Sequence, residues 1–87
     1  MPYISRFFGI VIYMYARDHA PPHFHAIYGD EEAVIDIHTG EIIRGRLSRR
    51  AMRLVQDWTE LHQQELLHNF EESQKPNPVF KMIEPLR

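Results

Sequence analysis

The chain contains no cysteine. That excludes a disulfide scaffold and any thiolate zinc site, so a metal could be held only by histidine and carboxylate. Long apolar runs are also missing. The longest, Phe7 to Ala16, is far short of the ~20 residues needed to cross a bilayer. Before it stands Met-Pro-Tyr-Ile-Ser-Arg, without the basic segment, apolar stretch and small-residue cleavage site of a secretory signal. No internal repeat or low-complexity tract occurs. Charge of one sign is lacking as well: the formal net charge is −2, so bulk charge does not argue for nucleic acid. These absences lead us to expect a soluble, non-secreted, cytoplasmic protein with no membrane contact.

What is present fits one small domain spanning residues 1–87. A chain of this size buries only roughly 60–65% of its unfolded surface, so stability is expected to be modest and a partner or a homodimer would raise it. Lysine is scarce: two lysines stand against eight arginines, and arginine is the better bidentate partner for phosphate and carboxylate. Residues 1–53 carry seven arginines and six acids, a net of +1, whereas residues 54–87 carry three basic and six acidic residues, a net of −3.

Two hydrophobic periods divide the chain. Gly9 to Arg17 is rich in Ile, Val and Tyr, apolar on both faces, and predicts a well-covered strand. His23 to Tyr28, Ala33 to His38 and Glu41 to Leu47 predict three more, joined by turns at Gly29-Asp30-Glu31 and Thr39-Gly40. Then Met52, Leu54, Val55, Trp58, Leu61, Leu66 and Phe70 recur mainly at helical spacings of three and four. They predict one amphipathic helix over about 48–73, with Ser48 as N-cap. Lys75-Pro76-Asn77-Pro78 ends it, and Val79 to Ile83 reads as an edge strand or docked tail within 74–87. The expected fold is α+β: a mostly antiparallel sheet of three to four strands, about 7–47, on one long C-terminal helix. Val11, Tyr13 and Tyr15 alternate with Ile10, Ile12 and Met14, so the second sheet face should also be partly covered.

The most informative segment is R-D-H-A-P-P-H-F-H, residues 17–25. Imidazole titrates near neutrality and can bind metal, move protons or simply hydrogen-bond. On a strand, His23 and His25 point to one face. Three readings stay open. His23 and His25 could act as general acid and base in metal-independent RNA cleavage, with His19 or Asp18 orienting one and Arg17 stabilising charge on phosphorus. His23 and His25 could form a metal pair that His19 or Asp18 closes, with Asp36 as another oxygen ligand; a divalent transition metal held by His19, His23 and His25 is one such set. Otherwise they are structural, His19 fixing the turn and the other two bonding to Asp18, Asp36 or a tyrosine. For the two X-Pro bonds, base rates favour trans by about 15 to 1.

Arg44, Arg46, Arg49, Arg50 and Arg53 fall within ten positions. The last three occupy the positive end of the predicted helix dipole, where local physics does not favour cations. They read as a site for phosphate, RNA or an acidic partner, or as a solvated face paired with Glu41 or Asp57. Trp58 is expected at the centre of the core, His62 at its edge and His68 in solvent.

The segments M-P-Y-I-S-R-F-F-G-I-V-I-Y-M-Y, D-H-A-P-P-H-F-H-A-I-Y-G, E-A-V-I-D-I-H-T-G-E, G-R-L-S-R-R-A and L-V-Q-D-W resemble the small bacterial proteins of domain of unknown function family 4160. The likeness runs to the terminal K-M-I-E-P-L. Ser48 stands where proline is expected, and Phe70 where tryptophan is more usual. The resemblance brings no catalytic residues. It implies a two-gene, toxin–antitoxin-like module in which the protein pairs with a small cognate protein from a neighbouring gene, with RNA as target.

Overall fold

The structure, a computed structural model, describes residues 3–87. Five strands precede two helices: β1 (Tyr3–Phe7), β2 (Ile10–Tyr13), β3 (His23–Tyr28), β4 (Glu31–Asp36), β5 (Ile42–Gly45), α1 (Arg49–Leu61) and α2 (Gln63–Ser73). The strands form one antiparallel sheet in sequence order, so every neighbour is reached by a short connection. The fold is α+β, but the sheet has five strands rather than three to four. The added strand is β1. It was hidden because Phe7 to Tyr15 reads as one apolar run. Phe8 (φ 50°) and Gly9 (φ 81°) both take the left-handed conformation and fold that run into a hairpin.

The single long helix is also corrected to two. His62 leaves the helical conformation (φ −123°, ψ 25°), and α2 begins at the next residue. Its N–H is shared between the carbonyls of Trp58 and Thr59, while its own carbonyl accepts from Leu66. The bend therefore strands little backbone. Ser48 caps α1 as expected, its hydroxyl accepting from the Ala51 N–H.

One sheet face forms the core. Ile10, Ile12, Phe24, Ala26, Ala33 and Ile35 are buried there with Val55, Trp58, Leu66 and Phe70 from the helices. Trp58 is fully buried, 5.3 Å from the Phe7 ring and edge-on to Phe24 at 5.6 Å. The tail docks without becoming a strand. Ile83 is buried and donates its N–H to the Ile4 carbonyl, the Glu84 carbonyl accepts from the Trp58 indole, and Lys81 exchanges two hydrogen bonds with Asn69.

The other face follows from the register. Tyr3, Tyr13, His25, Val34 and Arg44 form one row across all five strands. His23 lies one step further along β3, opposite Asp36. The alternation expected for β2 holds: Ile10, Ile12 and Met14 are buried, and Val11, Tyr13 and Tyr15 are half-buried on the second face.

Candidate functional site

The connection from β2 to β3 carries the site. After Tyr15 the chain turns at Arg17, whose left-handed backbone (φ 57°) directs its N–H to the Ser73 carbonyl at the end of α2, 2.7 Å away. Gln74 adds a bond to the Asp18 carbonyl at 3.0 Å. Pro22 accepts from the Ile37 N–H at 3.0 Å, which ties the far end of the loop to the residue after β4. The Ala20–Pro21 peptide is cis, a correction to the trans expectation. Held at both ends, the loop lays Asp18 over the second face of β3.

Asp18 Oδ2 meets both strand histidines. It lies 3.0 Å from His23 Nε2 and 3.1 Å from His25 Nε2. His23 Nδ1 lies 2.7 Å from the Pro21 carbonyl oxygen. A carbonyl only accepts, so His23 Nδ1 carries hydrogen. His25 packs edge-on against Tyr15, ring centroids 4.4 Å apart, and His23 lies 5.8 Å from Phe70. The imidazoles are only 7% and 8% exposed, so they sit beneath a cover rather than in an open cleft.

The electrostatics follow from this enclosure. Burial raises the Asp18 carboxyl pKa, but the hydrogen bonds and charges of His25 and His23 outweigh burial and hold it below the usual carboxylate range. Burial, with the charges of Glu32, Tyr13 and Asp18, pushes the Tyr15 phenol up, so it stays a neutral donor. The donor count is unusual. Three ring N–H groups are needed, one toward Pro21 and two toward Asp18, and two neutral imidazoles supply only two. Meanwhile His25 Nδ1 is buried without a hydrogen bond; Glu32 Oε2 stands 3.5 Å away, near enough for charge attraction but outside hydrogen-bond geometry.

Of the residues singled out from sequence, the structure brings together Asp18, His23 and His25. It leaves out His19, which is exposed and makes no side-chain hydrogen bond among the described residues. Of the two residues that could close the histidine pair, the structure places Asp18 and not His19 against it, because the left-handed turn at Arg17 delivers the residue beside it. The Arg17 side chain is exposed and not part of the cluster. Asp36 is excluded too, since its Oδ1 accepts from the His38 and Thr39 N–H groups in the following turn. A catalytic set of His23, His25, His19, Asp18 and Arg17 is thus not assembled around one point.

The arginines of residues 44–53 form a second feature, on edge strand β5 and the first turns of α1. All five are exposed. Among the described residues only Arg46 has an acidic neighbour, Glu31 Oε2 at 3.7 Å. The pairing with Glu41 or Asp57 that a solvated face would use is not formed. Leu47, Arg49, Met52, Arg53 and Gln56 line a shallow concavity of about 470 Å³. Sequence reasoning missed one participant, Glu31, which accepts from the Ser48 N–H at 2.8 Å and links β4 to the start of α1.

Fold and site together define a small α+β domain with a covered Asp-His-His cluster on one sheet face and an arginine-rich edge. The chain belongs to the family described as Domain of unknown function (DUF4160), whose pattern it matches over residues 9–71. That span includes the whole cluster and all five arginines. No curated protein and no solved structure matches the chain. No helix is long and apolar enough to cross a membrane.

Proposed function

We propose that this protein is a non-catalytic RNA-binding component of a two-protein, toxin–antitoxin-like module, with phosphates engaged by the β5–α1 edge. The observation that carries the reading is the set of five exposed arginines between positions 44 and 53, four of them without an acidic partner among the described residues. Unpaired guanidinium groups keep their full capacity for bidentate phosphate contacts. Arg44 shares its row with Tyr13 and Tyr3, so a strand of RNA leaving the arginine edge along this face meets aromatic rings that suit base stacking. Arg6 already stands over the Tyr3 ring at 5.3 Å. The two imidazoles held on Asp18 support binding rather than cleavage, because a general acid or base must reach the proton it moves. Family resemblance supports the pairing with a small cognate protein from a neighbouring gene.

Fluorescence anisotropy with a labelled single-stranded RNA of about 16 nucleotides tests the reading, that length matching the upper end of common single-strand site sizes. Binding should weaken as salt rises, with log K falling against log salt by ~0.7 per phosphate contact. The triple variant Arg49→Ala, Arg50→Ala, Arg53→Ala should flatten that slope by about 2, and the RNA should stay intact. Absence of binding at low salt, an unchanged slope in the triple variant, or cleavage lost in His23→Ala would overturn the proposal.

A further inference from the structure

We propose that Asp18, His23 and His25 form a binding centre for one divalent first-row transition metal ion, zinc(II) foremost, which fastens the Asp18 loop to β3. One oxygen and two ring nitrogens converge so that the three atoms lie within 4.8 Å of one another, and the two measured edges are 3.0 and 3.1 Å. Bonds of about 2.1 Å give neighbouring ligand atoms a separation of roughly 3.0 Å at right angles and roughly 3.4 Å in a tetrahedron. The two edges to Asp18 already match; the remaining edge, between the histidine nitrogens, is bounded only by 4.8 Å, and a tetrahedral cation would draw it to roughly 3.4 Å, a closure of up to about 1.4 Å shared between two side chains.

The hydrogen count of the cluster points to the same ion. With Nδ1–H of His23 committed to Pro21, a ring with a single hydrogen has only a lone pair at Nε2 to turn to the carboxylate, so a proton or a cation must stand between them. Lone pair against anion is repulsive. A cation between them turns both into ligands. The Nδ1–H to carbonyl bond is then the outer contact that fixes ring orientation in metal-binding histidines. His25 resolves in the same way. Once its Nε2 is a ligand, its hydrogen moves to Nδ1, the buried nitrogen that otherwise has no partner, and points toward Glu32 Oε2 at 3.5 Å. One cation thus accounts for both anomalies of the cluster.

Two imidazoles and one carboxylate suit borderline ions such as zinc, cobalt, nickel and iron(II) rather than calcium or magnesium. Access runs past Asp18, whose side chain is a quarter exposed while those of His23 and His25 are about nine-tenths covered. The ion's task is to hold the loop, since its protein ligands come only from the loop and from β3.

The test uses the full chain without an affinity tag, stripped with chelator and then titrated with zinc(II) or cobalt(II). Expected are one ion per chain, a visible cobalt spectrum, and at a hundredfold excess over Kd a rise in Tm of roughly 10–20 °C. Asp18→Asn removes a direct ligand and should weaken zinc binding by at least the roughly 10–100-fold that losing an outer-shell partner costs, while His19→Ala and His38→Ala leave it unchanged. Should Asp18→Asn fail to fold, nitrogen-15 spectra of the unaltered protein decide: zinc must shift Nε2 of His23 and of His25 and leave Nδ1 of His23 protonated. Lack of saturable binding, binding indifferent to Asp18→Asn, or shifts confined to other histidines would overturn the proposal.

Discussion

Arg17 and Asp18 show how much one backbone angle decides. The left-handed turn at Arg17 presents its N–H to Ser73 and sends the next side chain over β3. Alternation along a strand made the pairing of His23 with His25 legible in the sequence. The third member was not legible, because whether residue 18 or residue 19 reaches the pair depends on that angle, which no periodicity reports. Two clustered imidazoles call for an acceptor, and Asp18 is the nearest carboxylate in sequence. Gly45 is a second position where the backbone rules. It sits at φ +83°, and a Cβ there would stand 2.2 Å from the Glu32 carbonyl oxygen and 3.1 Å from the Ala33 Cα. Gly45→Ala therefore adds a clash with backbone that cannot swing aside to left-handed strain of ~1–2 kcal/mol. The expected loss is about 3 kcal/mol in urea unfolding, with disruption centred on the β4–β5 pairing. A loss under about 1 kcal/mol would show that β5 slips to accommodate the methyl.

Among the elements, β3 is legible to the residue and β4 to within two, because β-branched and aromatic residues there stand between clear turn signals. The start of α1 is legible from Ser48. The break at His62 is not: neither proline nor glycine marks it, and the apolar stripe continues from Trp58 to Leu66 across it. What holds the break is local and polar. His62 Nδ1 lies 2.6 Å from Glu65 Oε1, and Gln63 donates to the Ile37 and His38 carbonyls, so the second helix starts where the β4–β5 turn anchors it. The helix start makes a sharper prediction. Ser48 serves α1 through its hydroxyl and the sheet through its N–H, which donates to Glu31. Ser48→Ala removes only the first bond and should cost about 1 kcal/mol. Glu31→Ala leaves the N–H of a half-buried residue without its acceptor and should cost about 1–3 kcal/mol. Because both bonds meet at one residue, the double variant should lose less or more than the sum of the singles by at least ~0.5 kcal/mol. Strict additivity in a thermal-melt cycle would mean that the cap and the strand contact act independently.

At the scale of the whole molecule, the segments outside the family match complete the core. The match covers residues 9–71, which omits β1, the last two residues of α2 and the tail. The tail and β1 are bonded to each other through Ile83 and Ile4, and both close on Trp58, through the Phe7 ring on one side and the Glu84 carbonyl on the other. Without them β2 becomes a bare edge strand and Trp58 keeps a buried N–H with no acceptor. The magnitudes are decisive for so small a domain. Burying Ile4, Phe7 and Ile83 is worth ~1.5–3 kcal/mol each. Orphaning the Trp58 indole and the Asn69 amide, which now pairs twice with Lys81, costs about 1–3 kcal/mol apiece. Together these rival the whole stability expected of an 87-residue chain, about 4–13 kcal/mol. A fragment of residues 9–71 should therefore retain helical far-ultraviolet signal but lose the near-ultraviolet signal of Trp58, dispersed amide resonances and a cooperative melt. If that fragment melts cooperatively with native-like dispersion, the flanks are accessories and the core is self-sufficient on β2–α2. Asp18, His23 and His25 remain in the fragment, but the Ser73 and Gln74 anchors of the Asp18 loop do not; partial recovery of dispersion on adding zinc(II) would mean that the ion can order β3 and its loop without either those anchors or the flanking segments.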